Sequence, residues 1–215
     1  MNKYNIYVDH TLLKADASLE EIHKLCEEAE ENEFYSVCIN PCFIKVAKHY
    51  LLETSVKICT VIGFPLGANT IETKVFETKN AIDLGADEID MVININQLIN
   101  GNREYCLNEI NQIKEVCGDK ILKVIVETAF LNREQKEFAA KIILESNADF
   151  IKTSTGFAKE GAKLEDIILW KRILGDAKQI KASGGIKNFE DFKSFIEAGA
   201  TRIGTSSAIK ILNNH

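Results

Sequence analysis

Proline and tryptophan are scarce: the 215-residue chain has two prolines, Pro41 and Pro65, and a single tryptophan. No Pro-rich linker or low-complexity stretch divides it, so one domain spanning residues 1–215 is expected. Long apolar runs are missing as well. Nothing approaches the ~18 residues of a membrane span, which removes the membrane as a partner. The opening segment MNKYNIYVDH has no signal-peptide core and reads as part of the fold, so a cytoplasmic location is expected. Positive charge is in deficit, with 26 Lys and Arg against 32 Asp and Glu, a net −6. Without a basic stripe interleaved with aromatics, nucleic acid is not an expected partner. The six cysteines (26, 38, 42, 59, 106 and 117) form no C-x-x-C pair, and the four histidines form no H-E-x-x-H. Neither a metal nor another cofactor is expected, and the thiols read as reduced and mostly buried.

What is present is alternation. Short β-rich runs fall at Tyr4–Val8, Ser36–Ile39, Val56–Ile62, Glu88–Ile93, Leu122–Val126, Phe150–Lys152, Gln179–Lys181 and Arg202–Gly204. Most are dominated by Val, Ile and Cys, which suits parallel strands covered on both faces. Helical patterns separate them, with start signals at Ser18-x-x-Glu21, Asn132-x-x-Gln135 and Asn188, and with Pro41 suited to a first helical turn. LGADEIDMVI, SNADFIKTS and AGATRIGTS each place Gly or Asn, then Ala, between a helix end and a strand. Gly or Asn there suits a left-handed residue closing the helix. Eight strands separated by helices predict a single-domain α/β (β/α)8 barrel. A doubly wound open sheet is the alternative, but no G-x-G-x-x-G follows the first strand.

In such barrels chemistry gathers at the C-terminal strand ends. The polar residues there are Asp9, Thr11, Asn40, Asp90, Asn94, Glu127, Lys152, Lys181, Ser206 and Ser207. The segment DFIKTSTGF places Lys152 straight after Phe150 and Ile151, although lysine is rarely buried. Two readings stand: a lysine that snorkels or pairs with an acid, and an amine nucleophile that forms a Schiff base. The second requires a neutral amine, whereas a free lysine titrates near ~10.4. A second cation at ~4 Å in a partly dehydrated site supplies about the required ~4 kcal/mol. Lys181, at the equivalent level one strand later, is that cation, and spacing alone leaves the two roles exchangeable. Asp90 is a salt-bridge partner, a proton carrier, or both.

Gly184-Gly185 follows the seventh strand, and Gly204-Thr205-Ser206-Ser207 ends the eighth before a short helix. Barrels commonly hold a phosphate in these loops, where glycines let backbone N–H groups approach the anion.

Taken together, DHTLLK (9–14), SVCINP (36–41), TVIGFPLGAN (60–69), GADEIDMVIN (85–94), KVIVET (123–128), FIKTSTGF (150–157), KASGGI (181–186) and GATRIGTSS (199–207) resemble the deoxyribose-phosphate aldolases. These are class I, Schiff-base aldolases built on a (β/α)8 barrel. The resemblance implies that Lys152 forms the Schiff base, that Lys181 tunes it, and that Asp90 moves protons with a water. It further implies that Asp9, Thr11, Cys38 and Thr155 line the substrate pocket, and that Gly156, Gly184, Gly185, Gly204, Ser206 and Ser207 cradle the phosphate. The implied reaction is reversible cleavage of 2-deoxy-D-ribose 5-phosphate to acetaldehyde and D-glyceraldehyde 3-phosphate. Small phosphorylated sugars and aldehydes are the implied partners, together with a homo-oligomeric state such as a dimer or tetramer.

Two positions depart from the pattern. Phe157 stands where some members carry a basic residue, which leaves Lys187 to supply charge. The last tyrosine is Tyr105, so no terminal tyrosine assists proton transfer, and Asp90, Lys181 and water are expected to suffice. The rival readings are another class I sugar-phosphate aldolase, a phosphate-binding barrel isomerase, and a silent barrel that binds a phosphorylated ligand.

Overall fold

A computed structural model describes residues 3–213. Asn214 and His215, which belong to the terminal segment weighed above, lie outside the described residues. Among the described residues eight parallel strands close into a barrel in the order β1 to β8, with β8 paired back to β1. They are β1 (Val8–Leu12), β2 (Ser36–Ile39), β3 (Lys57–Ile62), β4 (Glu88–Val92), β5 (Ile121–Ile125), β6 (Phe150–Lys152), β7 (Gln179–Ser183) and β8 (Arg202–Thr205). The helices between and after them are α1 (Leu19–Glu31), α2 (Ile44–Tyr50), α3 (Ile71–Leu84), α4 (Ile95–Ile99), α5 (Arg103–Cys117), α6 (Arg133–Glu145), α7 (Leu164–Leu174), α8 (Phe189–Glu197) and α9 (Ala208–Leu212). None is long and apolar enough to cross a membrane.

The helix starts follow their capping residues. Ser18 and Asn132 each form the full reciprocal box with the residue three positions on, and Asn188 accepts from the Asp191 amide. Pro41 opens a 3-10 turn, Pro41–Phe43, that leads into α2. Gly85 and Gly199 are both left-handed at φ 116°, as the repeated motif requires. Asn147 is not left-handed. There the Ser146 hydroxyl closes the turn instead, donating to Ile143 O and accepting from the Ala148 amide.

The first strand corrects the reading of the sequence. Asn5–Tyr7 is a 3-10 turn, and the strand runs Val8–Leu12 rather than Tyr4–Val8. Asp9 resembles a strand terminator, yet it pairs in register with Ser36 on β2 and Gly204 on β8. Its carboxylate is tolerated inside the sheet because cations from β7 and β8 meet it there. The other strand limits move by at most two residues. Apolar side chains between barrel and helices, among them Ile22, Ile39, Ile89, Met91, Trp170 and Phe192, form the main core.

Candidate active site

Seven charged side chains from six strands meet inside the barrel: Asp9, Glu88, Asp90, Lys123, Lys152, Lys181 and Arg202. None exceeds 4% exposure. Strand register brings them together, since Asp90 lies beside Lys123 and Lys152 beside Lys181. Asp90 is the hub. Its Oδ1 accepts from Lys123 Nζ at 2.8 Å, and its Oδ2 accepts from Lys152 Nζ at 2.6 Å and Lys181 Nζ at 2.7 Å. Asp9 accepts from Lys181, from Arg202 at 2.7 Å and from the Ser36 hydroxyl at 2.6 Å. Glu88 accepts from Arg202 at 3.0 Å and faces Lys123 at 2.6 Å.

Burial alone would neutralise Asp9, Asp90, Lys123 and Lys181, but their mutual attraction prevails. It would push the Asp90 carboxyl up; Lys123, Lys152 and Lys181 instead hold it well below the usual carboxylate range. Asp9 is likewise depressed against burial, by Lys181, Arg202 and Lys123. Burial pulls Lys181 toward neutrality, and Asp9 and Asp90 reverse this, holding it above the ordinary lysine range. Lys123 behaves the same way beside Asp90, Cys59 and Glu88. Buried ion clusters contribute little net stability compared with packed apolar side chains, so a function is the stronger reason for this one.

The cluster lies beneath a cleft of about 590 Å³ at the C-terminal end of the barrel. Lys152 is the cluster member that also lines the cleft. With it are Thr11, Thr155, Gly156, Gly184, Gly185, Gly204, Ser206 and Ser207, which are thus brought together as the sequence predicts. Asp9, Asp90 and Lys181 sit one layer deeper. Cys38 does not line the cleft itself: it is fully buried, packed with Leu13, Cys59, Val61 and Phe64, with its Sγ within 4.8 Å of an Asp90 oxygen. A hydrogen bond from Cys59, opposed by burial and helped by Lys181, lowers its thiol to about 7. Phe157 lines the cleft and packs edge-on against Phe64, with ring centroids 5.3 Å apart. Lys14, Lys159 and Lys187 supply positive charge around the same cleft.

Cys38, Cys59 and Asp90 bring ligand-type atoms within 4.8 Å of one another, as do Asp9, Cys59 and Glu88. Three lysine side chains already donate to Asp90, and the charges of Lys123 and Lys181 would repel a divalent cation among them. This donor set suits protonated amines rather than a metal.

Sequence reasoning passed over Glu88, Lys123 and Arg202, and also Gly161. The signal for Lys123 is a charge inside an otherwise apolar strand, ILKVI on β5, and for Glu88 and Arg202 a charge at the first residue of β4 and β8. Gly161 stands against the loop after β7, where an added Cβ would lie 2.0 Å from Gly184 O. Gly204 has a second role beside the cleft, because a Cβ there would press on Lys181 Cε at 3.1 Å.

The model of the DeoC/LacD family aldolases matches residues 4–213. A deoxyribose-phosphate aldolase of Ureaplasma parvum serovar 3 is 99% identical over 215 residues, covering all of both chains. Among solved structures, an aldolase called QR15 superposes with a TM-score of 0.95 at 42% identity, covering 100% of this chain and 96% of its own. A tetrameric deoxyribose phosphate aldolase from Aeropyrum pernix gives 0.89 at 29% identity, covering 98% and 90%. The chain therefore belongs to the DeoC/LacD aldolase family, among the deoxyribose-phosphate aldolases, enzymes that cleave and form carbon–carbon bonds.

Proposed function

We propose that the chain reversibly cleaves 2-deoxy-D-ribose 5-phosphate to acetaldehyde and D-glyceraldehyde 3-phosphate through a Schiff base on Lys152. The observation that carries this reading is the position of Lys152 Nζ, which lines the cleft while donating to Asp90 Oδ2 at 2.6 Å. Four basic groups face three carboxylates in the cluster, so it balances when one base gives up its proton. Lys123, Lys181 and Arg202 each meet two or more carboxylates, whereas Lys152 meets only Asp90. Lys152 is the base whose proton the cluster can spare.

In the cleavage direction the Lys152 amine attacks the aldehyde carbon, and loss of water from the carbinolamine gives an iminium. Asp90, acting through water, takes the proton of the substrate's C3 hydroxyl, while the Lys181 ammonium stays protonated and donates to Asp90. The C2–C3 bond then breaks, its electron pair passes into the iminium, and glyceraldehyde 3-phosphate leaves an enamine behind. Protonation of the enamine and hydrolysis release acetaldehyde and restore the amine. Gly156, Gly184, Gly185, Gly204, Ser206 and Ser207 form the phosphate cradle. With Phe157 apolar, and with Lys14 engaged by Glu21 at 2.5 Å, Lys159 and Lys187 supply its charge.

Borohydride reduction in the presence of acetaldehyde, followed by peptide mapping, tests the reading. An ethyl group on Lys152, lost in Lys152→Met, is expected. A folded protein that traps no imine overturns it.

A further inference from the structure

Glu127 follows β5 at the barrel mouth, and three features set it apart. Its backbone is left-handed at φ 53°, a conformation disfavoured for a residue with a side chain. Its carboxylate is 2% exposed, and its Oε1 is buried with no hydrogen-bond partner among the described residues. Its Oε2 is committed to a single neighbour, accepting from the Thr155 amide at 3.2 Å and from the Thr155 hydroxyl. Burial raises its pKa, and the two Thr155 hydrogen bonds work against that rise. An unfavourable backbone conformation and a half-satisfied buried carboxylate occur at one residue beside the strand that carries Lys152. Packing gains nothing from either.

The hydrogen-bond accounting at Thr155 shows what they achieve. A threonine hydroxyl has one proton to donate and two lone pairs. The proton goes inward to Glu127, and the Phe157 amide donates to one lone pair at 3.0 Å. What Thr155 can offer the cleft it lines is therefore a lone pair alone. It can receive a hydroxyl, but it has no proton left for a carbonyl or phosphate oxygen.

We propose that Glu127 is a positioning residue that fixes Thr155 as a hydrogen-bond acceptor, so that the site selects aldehyde acceptors bearing a hydroxyl next to the carbonyl carbon. This rests on the reaction proposed above and adds a rule of substrate choice to it. Glyceraldehyde 3-phosphate has that hydroxyl, whereas 3-oxopropyl phosphate has the same aldehyde and phosphate without it.

The test is the ratio of kcat/KM for the two acceptors in aldol addition of acetaldehyde. Common losses in imine formation or phosphate binding cancel in this ratio. The native protein is expected to favour the hydroxylated acceptor by about tenfold or more. Glu127→Gln keeps an acceptor oxygen for Thr155 and should hold the ratio within about threefold. Glu127→Met has similar size and no acceptor, frees the Thr155 proton, and should lower the ratio about tenfold. A native ratio near one, or an unchanged ratio in Glu127→Met with imine trapping intact, overturns the proposal. If Glu127→Met fails to fold, Thr155→Ser and Thr155→Val replace it: serine should keep the ratio and valine lose it, and a valine variant with the native ratio overturns the proposal. Failure of the native protein to trap an imine on Lys152 would instead strike the reaction itself, and is read without either acceptor.

Discussion

Lys152 and Lys181 donate to the same oxygen of Asp90, Oδ2, at 2.6 and 2.7 Å. One carboxylate oxygen thus holds two amines from neighbouring strands at one point, while its twin, Oδ1, holds Lys123. The proposed nucleophile, cation and proton carrier are a single hydrogen-bonded unit, and a change at the hub is felt by all three.

Asp90→Asn tests that unit. The amide keeps the shape but removes the charge that holds three lysine side chains at one point. Turnover should fall by about 10²–10⁴ through loss of proton transfer. Stability in urea should fall by about 3–5 kcal/mol, because buried cations lose their partner. A variant with native stability and turnover would separate Asp90 from both roles.

Acid should unfold the protein through the same carboxylates. Asp9 and Asp90 titrate below their ordinary value of 3.8 when folded, so as pH falls past about 4 the unfolded chain takes up their protons first. The stability they contribute is complete above that value and is lost as pH falls toward the folded pKa values. Each adds about 1.4 kcal/mol per pH unit to the slope. Urea titrations between pH 4 and pH 2 should show a shallower slope in Asp9→Asn, and an equal slope would refute the assignment.

Gly161→Ala probes the wall of the cleft. Ala162 N donates to Ser183 O and Gly184 O at 3.1 Å, which holds the loops after β6 and β7 together. A methyl group at residue 161 would lie 2.0 Å from Gly184 O, so one loop must move. Overpacking of this kind costs about 1–3 kcal/mol. Displacement of Gly184 should raise KM for the phosphorylated substrate more than for an unphosphorylated aldehyde, and an equal effect on both would place the phosphate elsewhere.

The barrel, Lys152, Lys181, Asp90 and the glycine loops were legible in the sequence for one reason. Each breaks the local pattern, as a charge within or at the end of an apolar strand, or as a glycine pair just after one. Lys123 breaks it equally inside its strand, and Glu88 and Arg202 do so as the first residues of theirs. Parallel barrel strands are apolar on both faces, so alternation does not reveal which side chains point inward. Without register, an interior lysine has no visible partner. Asp9 shows the same limit in reverse: it read as the end of a strand because the cations that let it sit within one lie 172 and 193 residues away. Glu127 stood among the strand-end residues, yet its hold on Thr155 depends on a backbone conformation that composition does not encode.

Those separations also bear on how the chain matures on the ribosome. Asp9 is made well before its partners Lys181 and Arg202, which follow 172 and 193 residues later. Until β8 emerges and closes against β1, Asp9 lacks its Arg202 partner and the barrel has an open seam. The Arg202 counter-charge of Asp9 and closure of the seam therefore arrive together, with β8. An interrupted product carries both defects at once, and its exposed strand edges mark it for chaperones and proteases.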